Sequence, residues 1–153
     1  MTATNHALTG ALIGLVIGEP LLAIPAAVVS HFVCDALPHY GSALPSEKLL
    51  KTNRFRNYLI VEALLCASLV LVLALVRPEH WLLASFCAFA AASPDFLWIP
   101  RYIQTRSGQK WRPNPFSVFA IRIQWFQRPV GAVVEIAWFT GGIALLLPSL
   151  RAA

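Results

Sequence analysis

Apolar residues in this chain occur in five long runs separated by shorter polar stretches. The runs cover residues 7–18, 21–37, 58–76, 81–98 and 130–147. A helix needs about 20 apolar residues to cross the hydrocarbon core of a bilayer. The third run matches this length best, and its one acid is Glu62, near its start. The pattern predicts an all-α integral membrane bundle of about five transmembrane helices, forming a single domain over residues 1–153.

The first two runs predict a tight helical hairpin, because only Glu19 and Pro20 lie between them. Glycines at positions 10, 14 and 18 form a row on one face of the first helix, which allows another helix to approach closely. At about 1.5 Å per residue, the first run is only about 18 Å long, which is too short to cross a bilayer unaided. Both a spanning hairpin and a re-entrant one are therefore consistent with the sequence.

The charged residues lie mainly between the apolar runs. The chain is 58% hydrophobic and 12% charged, with a formal net charge of +5, and soluble domains carry about twice that charged fraction. Two basic stretches, residues 40–57 and 99–129, hold most of the cations. By the positive-inside rule, both stretches and the N-terminus are expected on the cytoplasmic side.

This placement makes membrane lipids the expected partners of the basic stretches and gives no reason to expect nucleic acid. Cations next to membrane segments attract anionic headgroups. The residues assigned to this surface are Lys48, Lys51, Arg54, Arg56, Arg101, Arg106, Lys110 and Arg112. Further along, Phe116, Phe119, Ile123 and Phe126 recur every three or four residues, which predicts an interfacial amphipathic helix.

One polar run, residues 30–39, contrasts with its apolar surroundings. His31, Asp35 and His39 recur every four residues, and ionisable residues in a membrane segment are costly unless they have a function. Positions i and i+4 lie on one helical face, so His31 and Asp35 can bind one ion. Pro38 disfavours helix before it, which places His39 on the following turn. A hydrogen-bonded pair that joins helices is the alternative.

The predicted topology places further ionisable residues at the same depth. His6 and Asp95 lie at cytoplasmic ends of their segments, and Glu62 and Glu135 lie slightly deeper. A common metal site explains this layer, with a glutamate orienting one of the ligands. Alternatively, His6 is a polar cap at the N-terminus, and Asp95 is a helix-start residue beside Pro94. Imidazole and carboxylate ligands without thiolates suit a divalent transition metal, zinc or manganese above all.

Three short segments resemble a known family. They are residues 4–10 (TNHALTG), 30–39 (SHFVCDALPH) and 93–95 (SPD). Together they resemble the bacterial inner-membrane family described as membrane-bound metal-dependent hydrolases. The resemblance implies a location in the bacterial inner membrane and a set of metal ligands. Those ligands are His6, His31, Asp35, His39 and Asp95.

The predicted function is hydrolysis of a phosphoester or ester in a lipid or its headgroup at the cytoplasmic face. A hydrolytic metal would activate water, and His39 and Asp35 are the predicted catalytic residues. A non-enzymatic protein is the first alternative, in which the His/Asp cluster is a structural polar or metal-stabilised lock. A small transporter is another, although its acids would be expected nearer the middle of the membrane.

Overall fold

The computed structural model describes residues 1–41 and 45–151, and within these two ranges the secondary structure is helical, without strands. Residues 42–44 of the basic stretch 40–57 lie outside the described residues. The α-helices are α1 (Ala3–Ile17), α2 (Pro20–Ala36), α3 (Glu47–Leu50), α4 (Asn53–Val76), α5 (Trp81–Ala92), α6 (Ile99–Arg106), α7 (Pro115–Ile123) and α8 (Gly131–Arg151). A 3₁₀ helix, Ser93–Trp98, joins α5 to α6.

The ends of α1 and α2 follow from local chemistry. The Thr2 side chain accepts a hydrogen bond from the Asn5 amide and caps α1, as N-cap threonines do. Gly18 ends α1 with a φ of 65°, a left-handed conformation that glycine adopts without steric cost. Helix α2 starts with Pro20 at its first position and ends before Pro38, which disfavours helix at the residue that precedes it.

Helix α1 lies at the centre of the molecule. It packs against α2, α4, α5 and α8, most extensively against α5. A Cβ atom on Gly10 would lie 2.2 Å from the carbonyl oxygen of Cys87, and one on Gly14 would lie 2.5 Å from Cα of Ala84. The close approach predicted from the glycine row is therefore confirmed, and the helix that approaches most closely is α5.

Three stretches of helix are long and apolar enough to cross a membrane: α4, the continuous segment Trp81–Arg106, and α8. Much of their apolar surface points away from the protein. On α4, for example, Leu64 is 62% exposed and Leu75 is 73% exposed. Helices α1 and α2 are also apolar but shorter, with 15 and 17 residues. The prediction of an all-helical protein with membrane-type helices is confirmed for these three segments.

The fourth apolar run changes helix type near Pro94, and α7 is shorter than predicted. The fourth run is α-helix up to Ala92 and continues as the 3₁₀ helix, with Pro94 in its first turn, as expected for a proline within a helical run. Helix α7 ends at Ile123, so Phe126 does not belong to its apolar face as predicted. The reason is Gln124, which leaves the helix with a ψ of 53° and uses its side chain to reach Asp35.

Candidate metal centre

Four of the predicted site residues meet where α1, α2 and α5 converge. His6 lies near the start of α1, His31 and Asp35 lie near the end of α2, and Asp95 belongs to the 3₁₀ helix after α5. The close packing of α1 on α5 brings these ends together. The His6 side chain is 0% exposed and that of His31 is 4% exposed, whereas that of Asp95 is 28% exposed. The cluster is therefore buried, and Asp95 forms its accessible edge.

Asp35 is the hydrogen-bonding centre of this cluster. Its Oδ1 accepts from Nε2 of His6 at 3.1 Å and also from the amino group of Met1. Its Oδ2 accepts from Nε2 of Gln124 at 2.8 Å and lies 3.5 Å from Nε2 of His31. A buried carboxylate is stable only when its oxygens are paired in this way. Because both oxygens already accept hydrogen bonds, Asp35 is better suited to orient a ligand than to be the main one.

In each of the two imidazoles, one ring nitrogen donates a hydrogen bond and the other ring nitrogen does not. Asp35 can only accept, so the proton of His6 lies on Nε2, and Nδ1 of His6 has no hydrogen-bond partner among the described residues. His31 donates from Nδ1 to the Ala91 carbonyl oxygen at 2.8 Å, which leaves Nε2 with its lone pair. The rings stack with centroids 4.0 Å apart. Such orienting bonds are typical of metal-binding histidines.

Three of these side chains, His6, His31 and Asp95, fit a divalent metal. One potential ligand atom each from His6, His31 and Asp95 lies within 4.8 Å of the others, and Nε2 of His31 is 4.0 Å from Oδ1 of Asp95. Ligands around a tetrahedral zinc ion are roughly 3.3 Å apart, given metal–nitrogen distances near 2.0–2.1 Å, so the observed spacing is slightly wider. Two nitrogens and one carboxylate oxygen, with a buried unpartnered nitrogen, are a donor set for zinc or manganese.

His39 lies beside this group and is not part of it. It is buried, its Nδ1 donates to the Leu37 carbonyl oxygen at 2.9 Å, and its Nε2 accepts from Gln127 at 3.1 Å. Gln127 also donates to Gln124, the residue that holds Asp35. Burial lowers the pKa of His39 below its ordinary value, so the imidazole is neutral at pH 7. The structure thus connects His39 to the cluster through two glutamines.

The two glutamates bind neighbouring backbone rather than the ligand imidazoles. Oε2 of Glu62 accepts from the amide and the hydroxyl of Thr4, at 2.9 and 2.8 Å, and so holds the start of α1 on α4. Oε1 of Glu135 accepts from the Tyr40 amide at 3.2 Å. Both therefore position segments that carry candidate ligands. The closest link is Thr4, which lies two residues before His6.

Sequence reasoning missed the glutamines and the asparagine of this site. Gln124 and Gln127 come together with His39 because the chain turns after α7 and residues 127 and 39 form a bridge. Asn5 donates to the Glu135 carbonyl oxygen at 3.2 Å, and its Oδ1 is buried without a partner among the described residues. One signal could have identified these residues. Their side-chain amides lie next to apolar helix faces in the sequence, and a buried amide needs a hydrogen-bond partner.

The predicted cationic surface needs one correction. Arg101 is buried, with 6% of its surface exposed, and donates to the carbonyl oxygen of Pro45. Its guanidinium lies over the rings of Trp98 and Trp111 at 5.9 and 5.0 Å, and such stacking stabilises a desolvated arginine. The other seven predicted cations are exposed.

Comparison with known proteins adds no relative: no family model, curated protein or solved structure matches the chain.

Proposed function

We propose that this chain is a membrane-embedded metal-dependent hydrolase that acts on a phosphoester or ester of a lipid or headgroup. The observation that carries the proposal is the pair of buried histidines. Each has one ring nitrogen held by an orienting partner, and one potential ligand atom of each histidine lies within 4.8 Å of a carboxylate oxygen of Asp95. A purely structural pair would not need to leave Nδ1 of His6 without a hydrogen bond.

In this proposal His6, His31 and Asp95 hold a divalent metal, zinc or manganese. Such a metal supplies polarisation of the phosphoryl or carbonyl group and activation of water. Asp35 is a positioning residue, because it contacts His6 and fixes which nitrogen of that ring carries the proton. The partly exposed edge at Asp95 is the entry side for substrate.

His39 is the proposed acid–base residue. A neutral imidazole can accept a proton at neutral pH, and the lowered pKa of His39 keeps it in that form. Its Nε2 is now engaged by Gln127. Its use in catalysis therefore requires the Gln127 side chain to turn away from it.

The proposal includes a five-span topology with the N-terminus in the cytoplasm of a bacterial cell. Helices α1 and α2 would be the two short spans, next to the three long apolar segments. The exposed cations of residues 45–57 and 106–112 would then lie at the headgroups of the cytoplasmic leaflet and attract anionic lipid. The metal centre would lie at the same level as the scissile group.

Metal content is the first test. The full chain is purified in detergent with zinc or manganese, and bound metal is counted by elemental mass spectrometry for the wild type, His31→Ala and Asp95→Asn. We expect about one ion per chain in the wild type and at least a tenfold loss in both variants. The matched control is His80→Asn, since His80 lies far from the cluster, next to Gly18, and asparagine tolerates its φ of 61°.

Hydrolysis is then measured with phospholipid vesicles and with nitrophenyl esters and phosphoesters. The same two variants should lose turnover while remaining monodisperse, and His80→Asn should retain it. A wild type that binds neither metal under any loading condition would refute the metal-dependent reaction.

A structural lock is the second candidate, because Asp35 joins three parts of the chain. It accepts hydrogen bonds from α1 through His6 and from the segment after α7 through Gln124, while it is itself part of α2. If this is the only role, Asp35→Asn lowers the melting temperature of a protein that contains no metal. If the enzyme proposal is correct, Asp35→Asn also weakens metal binding, by about 10–100-fold.

A further inference from the structure

An apolar groove runs between α4 and α8 on the surface of α1. Both helices pack against α1 and make few or no contacts with each other, so the space between them is left open. The groove has a volume of about 230 Å³. Its walls are almost entirely hydrocarbon and include Leu8, Leu65, Leu69, Phe139, Ile143 and Leu147.

The mouth of this groove faces the same surroundings as the membrane-type helices. Beside it, Leu64 and Leu71 of α4 are 62% and 58% exposed, and Val133 and Leu145 of α8 are 65% and 69% exposed. Helices with such surfaces are long and apolar enough to lie in a bilayer. A cavity lined by leucine and phenylalanine does not retain water, so its occupant is apolar.

One end of the groove lies at the same level of α1 as the candidate metal centre. Thr4 lines this end, and its amide and hydroxyl both donate to Glu62. Two residues further along α1 is His6. Residues two apart lie on different faces of a helix, so a molecule in the groove would end at the level of the His/Asp cluster, with α1 between them.

The dimensions favour an acyl chain over a helix from a second copy of the protein. Along α8 the lining extends from Phe139 to Leu150, which is roughly 16 Å at about 1.5 Å per residue. A helix of that length with a diameter of about 10 Å occupies on the order of 1,000 Å³, more than the about 670 Å³ of the groove that is free of protein atoms, its open side included. A single flexible hydrocarbon chain is the membrane component that is narrow enough.

We propose that the groove between α4 and α8 binds one acyl chain of a membrane lipid, with the headgroup end at Thr4 and Glu62. The identification of this lipid as the substrate rests on the proposed function. The binding of the chain does not, because it depends only on the groove.

The test is photocrosslinking of the full chain in phosphatidylglycerol vesicles that contain a phospholipid with a diazirine in its acyl chain. Labelled residues are mapped by mass spectrometry. We expect Leu69 and Ile143, inside the groove, to be labelled several-fold more than Leu64 and Leu71, which face outward.

A pair of matched variants makes the test specific. Ser68 lines the groove and Ala67, its neighbour, does not. Ser68→Trp should fill the groove and reduce labelling of Ile143 at least fivefold, whereas Ala67→Trp should leave it unchanged. Both positions are exposed on one helix, so a general effect of tryptophan on insertion or folding would appear in both variants.

If groove residues and outward-facing residues are labelled equally, and Ser68→Trp changes neither, the label comes from bulk lipid only. That result would overturn the inference. Crosslinks between two copies of the chain at the groove would overturn it as well. Metal content measured on the same preparation separates the two proposals. Preferential labelling of the groove without bound metal supports the lipid site and refutes the hydrolase. Bound metal without preferential labelling of the groove supports the metal centre and refutes the lipid site.

Discussion

Helices α1 and α4 are both apolar, yet they occupy opposite environments. Eight of the 15 residues of α1 are buried, including His6, Gly10 and Gly14. Among the 24 residues of α4, only Leu73 is buried. Helix α4 is the richer of the two in leucine and valine. The helix with more leucine and valine thus lies at the periphery, and the helix with glycines and buried polar residues lies at the centre.

The difference shows what determines burial in a protein of this kind. Leucine gains little from moving out of lipid into protein, because both surroundings are apolar. Glycine and alanine gain close backbone contact, and polar side chains gain hydrogen bonds that lipid cannot offer. The central helix is therefore recognised by its glycines and polar residues, and three substitution pairs test this contrast.

The largest effect is expected at the glycines. Gly10→Leu should prevent normal folding, with a cost above about 3 kcal/mol, because even its Cβ would lie 2.7 Å from that of Ala91 on α5. Gly141→Leu on α8 is the control, since no atom lies within 4 Å of its added Cβ. Thermal unfolding and size-exclusion chromatography in detergent provide the comparison. Similar melting temperatures for both variants would show that the α1–α5 contact is not close-packed.

The second effect compares two leucines of α4. Leu73→Ala should lower the free energy of unfolding by about 2–5 kcal/mol, because Leu73 is 0% exposed and packs in the core with α1 and α5. Leu64→Ala should change it by only about 0.5 kcal/mol, because that side chain is 62% exposed. Reversible unfolding in mixed micelles measures both. An equal loss at the two positions would contradict the peripheral position of α4.

The smallest effect concerns the polar contact between the two helices. Thr4→Val and Glu62→Gln, alone and together, form a double-mutant cycle whose coupling free energy should be about 0.6 kcal/mol and below about 2 kcal/mol. The hydroxyl of Thr4 donates to Glu62 across the interface. Ser68→Ala is the control, because the Ser68 hydroxyl donates to the Leu64 carbonyl oxygen within α4. A coupling of zero would mean that this bond does not hold α1 on α4.

Much of the fold was predictable because it depends on local pattern. Apolar runs predicted the principal helices, Gly10 and Gly14 predicted a close helix contact, and Pro38 predicted the end of α2. The layer of ionisable residues was also predictable, since such residues in apolar segments must find partners. His6, His31, Asp35 and Asp95 do come together.

Other features depend on contacts between residues distant in sequence. Arg101 belongs to a basic stretch, and only its position between Trp98 and Trp111 makes it internal. Gln124 ends α7 early because it reaches Asp35, 89 residues away along the chain. The place of His39 depends on the same loop, which brings Gln127 against it.

The sequence by itself determined that the chain is helical, that its helices are of membrane type, and that three of its four histidines and four of its seven acids lie towards one end. These properties follow from residue periodicity and from the cost of placing charge in hydrocarbon. Tertiary structure decided that α1 is central, which nitrogens of His6 and His31 are left without an orienting partner, and that a groove remains between α4 and α8. Those outcomes depend on how the helices pack and on which hydrogen bonds form between them. Neither the packing nor these hydrogen bonds can be read from a single segment.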